Sequence, residues 1–193
     1  MKAAEEFLQE ASGDSEDMLL LLKDALGLVS YYRHLLEHYE LDTLTGLSGA
    51  NKFKDMMAGI GDKAAGMGVI FFDVNDLKYY NDNKGHQAGD LLLQKAAESI
   101  LVMSGRNTHS FRIGGDEFVV IINQCTESEV EALLLKWREK LAKLNTRDDG
   151  IQCNIAAGYA IAGEGDNISD TLKLADERMY TEKKKMKAGR EPR

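Results

Sequence analysis

The chain has 193 residues, 44% of them apolar, which is enough for one ordinary domain with a buried core plus an appendage. Its 24 Lys and Arg against 32 Asp and Glu leave a net charge of −8, so the clustered cations of a nucleic-acid or anionic-membrane surface are excluded. The longest apolar run, Met18 to Leu22, is too short to span a bilayer and no secretion signal opens the chain, so a cytoplasmic location is the expectation.

Residues 1 to 15 are polar and read as a frayed start or a linker. From Met18, the apolar positions Met18, Leu21, Ala25, Leu28, Tyr32, Leu35 and Tyr39 alternate spacings of three and four, with Leu22, Leu26, Val29 and Leu36 beside them. This is the seam of a helix that packs either on its own domain or on a second copy. After "ELDTLTGLSGANKF" the pattern becomes an alternation of strands and helices, the marker of an α/β domain. The expected elements are a strand over 68–74, a polar loop, a helix over 87–103, the strands "HSFRI" and "EFVVIIN", a helix over 128–144, the strand "IQCNIAAGYAIA" and a helix over 168–186. Gly114-Gly115 joins the middle strands into an antiparallel hairpin, with positive φ expected at the glycines. "KKKMK" reads as a solvated basic helix end. Cys125 and Cys153 sit in apolar runs and read as buried thiols.

Asp73 emerges where an apolar strand runs out. Alone it reads first as a turn cap. Asp116 also sits at a strand mouth, and if the two strands are neighbours the carboxylates repel unless a cation lies between them. Hard oxygen ligands favour Mg²⁺ or Mn²⁺, which bind through one or two carboxylates plus substrate phosphates. The loop "LKYYNDNKGHQAGD" holds Lys78, Asn81, His86 and Asp90. Lys78 suits a phosphate; Asp90 can accept from a guanine edge and Asn81 can satisfy its oxygen. Each also has an ordinary reading as a turn former, helix start or solvated charge. An EF-hand fails, because Leu77 and Lys78 stand where an oxygen ligand and a glycine are required. "GLSGANK" lacks the ending of a Walker A loop.

"GGDEF" at Gly114 to Phe118, "DVNDLKYYNDNKGHQAGD" at Asp73 to Asp90 and "DTLTGL" at Asp42 to Leu47 resemble, in order and spacing, the GGDEF domains of bacterial diguanylate cyclases. The resemblance implies an α/β (α+β) fold like that of class III nucleotidyl cyclases and the polymerase palm: a central, mainly antiparallel five-stranded sheet flanked by helices. It covers roughly Leu41 to Lys187, within a domain expected over 41–193, leaving 1–40 as a linker with a signalling or dimerising helix. Similar proteins condense two GTP molecules into cyclic di-GMP, one GTP on each protomer of a homodimer, and an upstream sensor is expected. By the same resemblance Asp73, Asp116, Glu117 and the carbonyl of Val74 hold Mg²⁺ or Mn²⁺. Asp116 takes the proton of the attacking hydroxyl, with Glu117 supporting it and Lys78 stabilising the transition state. Asn81, His86 and Asp90 contact substrate, and Gly114 and Gly115 leave room for it. Lys173 and Lys183 match basic positions that reach phosphates. The alternative is a domain that holds GTP and signals without turnover. The family's inhibitory Arg-x-x-Asp motif is missing, Gly105 and Thr108 standing at its ends.

Overall fold

The structure, a computed structural model, describes residues 18–20, 22–31, 40–61 and 63–189. Contacts divide the chain into Met1–Tyr39 and Glu40–Arg193. In the first unit, residues 18–20 and 22–31 are helical with exposed side chains. Seam positions Leu21, Tyr32, Leu35, Leu36 and Tyr39 lie outside the described residues.

The second unit contains α1 (Ala50–Ile60), β1 (Gly68–Val74), α2 (Leu77–Lys84), α3 (His86–Ile100), a 3-10 turn (Leu101–Met103), β2 (Thr108–Arg112), β3 (Glu117–Ile122), α4 (Glu127–Asn145), β4 (Ile155–Ile161) and α5 (Ile168–Ala188). The strands form one antiparallel sheet in the order β2-β3-β1-β4. This is the β-α-β-β-α-β arrangement, with two helices in the first connection. Among the described residues the sheet has four strands, one fewer than expected. Beside β2 the chain makes only an isolated bridge, Ser48 to Phe111, because the tight turn from Asp42 to Leu47 brings it to the sheet for a single residue before α1 begins.

Every residue of "GVIFFDV" is buried, as expected of a strand covered on both faces. Alternate side chains enter two cores. Ile70, Phe72 and Val74 join Phe118 and Val120 beneath Leu92, Ala96, Val130 and Trp137 of α3 and α4. Val69 and Phe71 join Val119, Phe53 of α1, and Ala175 and Met179 of α5 on the other face. Gly158 sets the distance of α5: a Cβ there would run into the backbone of Ala175, Arg178 and Met179.

Several boundaries differ from the sequence expectation. The polar loop after β1 contains helix α2, whose apolar content is too low for a periodic signal. Helix α1 was not anticipated, because its face buries Phe53 alone. Residues 151–154 extend toward β4 without pairing in the sheet: Asn145 bridges both backbone groups of Cys153, and Tyr80 Oη accepts from Gln152 N–H at 2.9 Å. The cysteines are free thiols, Cys153 buried and Cys125 half-buried. Burial pushes the Cys153 thiol up to about 12.

Candidate active site

The site forms where β1 ends against the start of β3. The strands are neighbours, and register places Asp73 opposite Glu117. Asp116 stands one residue earlier, where its carbonyl accepts the Val74 N–H at 2.9 Å. Asp73 has the parity of Val69 and Phe71, so it emerges on the sheet face covered by α5. The glycines do not take the positive φ expected of them. The turn closes through the Ile113 and Gly114 N–H groups, both donating to the Glu117 carbonyl, and is wider than a two-residue hairpin. A Cβ on Gly114 would lie 2.6 Å from Glu117 Oε2, so a side chain there would have to turn the glutamate carboxylate aside. Around Gly115 the space is open.

The "DTLTGL" turn holds this hairpin in place. Asp42 Oδ1 accepts from Thr45 N–H at 2.9 Å and Thr45 Oγ1 at 2.6 Å, and Arg112 Nη1 lies 3.1 Å from both Asp42 oxygens. Arg112 Nη2 donates onward to the Gly115 carbonyl at 2.8 Å. Burial pushes the Asp42 carboxyl up, but the hydrogen bonds of Thr45 and Arg112 outweigh it and hold the group below its ordinary range.

Asp73 is only 6% exposed. Lys183 Nζ, from α5, lies 2.6 Å from both of its oxygens. Its hydrogen bond is directed at Oδ2, and Oδ1 is left as a buried acceptor without one. Burial pushes the Asp73 carboxyl above its usual range and the Asp116 charge adds to this, against the pull of Lys183. Glu117 is raised as well, by burial first and then by Asp116, Asp73 and Asp176.

Of these acids Asp116 lines a cleft of about 460 Å³, together with Val74, Asp76, Lys78, Lys183 and Lys187, among others. Helix α2 begins in its wall. Asp76 adopts a left-handed conformation (φ 67°) and gives α2 no side-chain cap. The first N–H groups of a helix have no partner within it, so this wall offers N–H donors and the positive end of a dipole to an anion.

Asn81, His86 and Asp90 gather instead at the α2–α3 turn, where Gly85 takes φ 84°. The Asn81 amide fills the space a side chain on Gly89 would need. His86 and Asp90 are exposed and stand one turn apart on α3. Lys173 is not brought to the cleft: ten residues before Lys183 on one helix, it stands roughly 15 Å away along the axis. Sequence reasoning missed Lys187, which lines the cleft. Its one signal was its place a single turn beyond Lys183, inside the run read as a solvated helix end.

Among the described residues, no three His, Cys, Asp or Glu side chains form a closed metal cage. The donor set, a buried carboxylate with one oxygen outside any hydrogen bond and acids beside it, suits a hard cation that completes its shell from phosphates and water.

The sequence profile described as "Diguanylate cyclase, GGDEF domain" matches residues 39–189. Diguanylate cyclase DosC of Escherichia coli (strain K12) is 25% identical over 186 residues, covering 93% of this chain and 39% of its own length. Diguanylate cyclase DgcS of Shewanella oneidensis is 28% identical over 172 residues, 85% of this chain and 56% of its own. The chain therefore spans well under two thirds of either relative. Among solved structures, the coiled coil and GGDEF domain of DgcB from Caulobacter crescentus, in complex with c-di-GMP, matches with a TM-score of 0.70 at 23% identity, covering 88% of this chain and 94% of that one. That likeness is one of fold.

Proposed function

Because the chain belongs to the GGDEF-domain family of diguanylate cyclases, we propose that it condenses two GTP molecules into cyclic di-GMP, each protomer of a homodimer presenting one GTP. The observation that carries this reading is the buried Asp73 carboxylate, ion-paired to Lys183 and opposite Glu117, next to a cleft that Asp116, Lys78, Lys183 and Lys187 line.

In this reading Asp73, the Val74 carbonyl, Asp116 and Glu117 hold Mg²⁺ or Mn²⁺. When bound, the cation supplies charge neutralisation at the phosphate oxygens as pyrophosphate departs. The 3′-oxygen of one GTP forms a bond to the α-phosphorus of the other, the bond from that phosphorus to pyrophosphate breaks, and Asp116 takes the hydroxyl proton. A second such transfer closes the ring. Lys78 offsets negative charge on the transferring group, and the N–H groups opening α2 take up phosphate oxygens. Asn81 and Asp90 read the guanine edge, with His86 a further contact at the same turn. Open space at Gly115 lets the triphosphate approach the backbone. Lys183 and Lys187 reach the outer phosphates, a role for which Lys173 stands too far along α5.

One protomer is half of this site, so the exposed apolar side chains of the N-terminal helix, Leu22, Leu26 and Val29 among them, are read as a dimerising surface that also carries the output of a sensor. The whole lies in the cytoplasm, where GTP is available. Incubating the protein at high concentration with GTP and Mg²⁺ should yield cyclic di-GMP. Tight GTP binding without product would replace the cyclase by a GTP-holding regulatory module.

A further inference from the structure

Lys183 and Asp73 are 110 positions apart in the chain, yet they make the shortest ionic contact of the site, 2.6 Å. The Asp73 side chain is 9% exposed and that of Lys183 21%. A buried carboxylate among other acids is strongly disfavoured unless a cation neutralises it, and here the ammonium does so. We propose that Lys183 is a latch: it occupies Asp73 in the ligand-free protein, and it couples cation binding to nucleotide binding by moving from that carboxylate to a triphosphate oxygen. This inference rests on the cyclase reading above, and it concerns how the site loads.

Lys183 Nζ lies 2.6 Å from both Asp73 oxygens, so a divalent cation binding either of them meets the ammonium at close range and is repelled. A cation arriving alone must therefore displace Lys183 into a cleft that already holds Lys78 and Lys187. Asp116, which lines that cleft, and Glu117, which faces Asp73 in the register, are carboxylates the cation also needs. A triphosphate relieves the conflict by offering oxygens to the displaced ammonium. Each ligand then binds more tightly in the presence of the other, and Lys183 carries part of that coupling. The length of α5 makes the reach possible: the helix continues to Ala188, and Met186 packs its sulfur against Asn75 Nδ2 at 3.9 Å, seating this turn beside the end of β1.

The test measures Mn²⁺ binding to the full chain by electron paramagnetic resonance of the free ion, without nucleotide and with a GTP analogue whose α,β-bridge is methylene. K183M should bind Mn²⁺ alone about tenfold more tightly than the parent, within the usual range for coupled sites, and the gain on adding the analogue should shrink by about the same factor. K183Q, which keeps a hydrogen-bond donor but no charge, should behave like K183M, and it replaces that variant should K183M not fold. Lys183→Arg should restore the parent's behaviour. Unchanged or weaker Mn²⁺ binding by the neutral variants, with the parent binding normally, overturns the latch and leaves the cyclase reading standing. Failure of every protein to bind Mn²⁺, with or without the analogue, overturns both.

Discussion

Asp116 sits beside two carboxylates that burial already pushes toward protonation, and its own charge raises both of them further. Replacing it with asparagine removes that repulsion while keeping the size of the side chain and the backbone bond to Val74. Asp116→Asn is therefore expected to lower turnover by roughly 10²–10⁴-fold, the usual loss with a general base, while metal-free thermal stability stays level or rises. Calorimetry alongside a cyclic di-GMP assay checks both halves. A fall in melting temperature would mean that Asp116 stabilises the hairpin through its side chain, and retained turnover would move the proton acceptor elsewhere.

Among the elements, α5 matters most to the site, because it carries Lys183 and Lys187 and rests on β4 with backbone against Gly158. Gly158→Ala should push the helix off the sheet, at a cost of about 1–3 kcal/mol for overpacking, and should weaken GTP binding as well as stability. Urea unfolding and nucleotide titration report the two effects; binding unchanged at lowered stability would detach α5 from the site. A second joint links α3 to α4 and the segment beyond it. Arg147 lies 2.8 Å from Glu98, and Lys140 lies 3.0 Å from it. Arg147 first, then Lys140, hold the Glu98 carboxyl down to about 2 from the ordinary 4.5. The folded state thus gives up this proton more readily than the unfolded one, so the pair stabilises above pH 4.5 and is lost as pH falls to about 2. The melting difference between the parent and Glu98→Gln should be open at neutral pH and close at the acid end. Its size stays modest, because solvent screens a surface pair. A difference independent of pH would assign Glu98 a packing role instead.

For the whole molecule, the proposed chemistry needs two copies face to face. Specific activity should accordingly rise with protein concentration and level off as dimers form, which dilution assays beside analytical ultracentrifugation can follow. Constant specific activity for a monomeric species would place both nucleotide sites on one chain. The domain sequence announced this level only indirectly. Its motifs describe half a site, and the helical seam that could supply the other half extends into residues outside those described.

By itself the sequence determined the alternation of strands and helices, the depth of "GVIFFDV" and the acids at the strand mouths, because each is written in a local run whose period or composition has one physical reading. It also singled out Lys78, which lines the cleft, through a motif a few residues long. Tertiary structure alone decided which acids face each other, since a register shift of one residue exchanges Glu117 for Asp116 opposite Asp73 and turns every side chain to the other face. It alone showed that Gly114 takes no positive φ and that a side chain there would meet the Glu117 carboxylate. It also picked out Lys183 and Lys187 over Lys173 from one basic helix. Such contacts join positions distant in the chain, and they are fixed by how closely a helix can settle on a sheet, which no local pattern records.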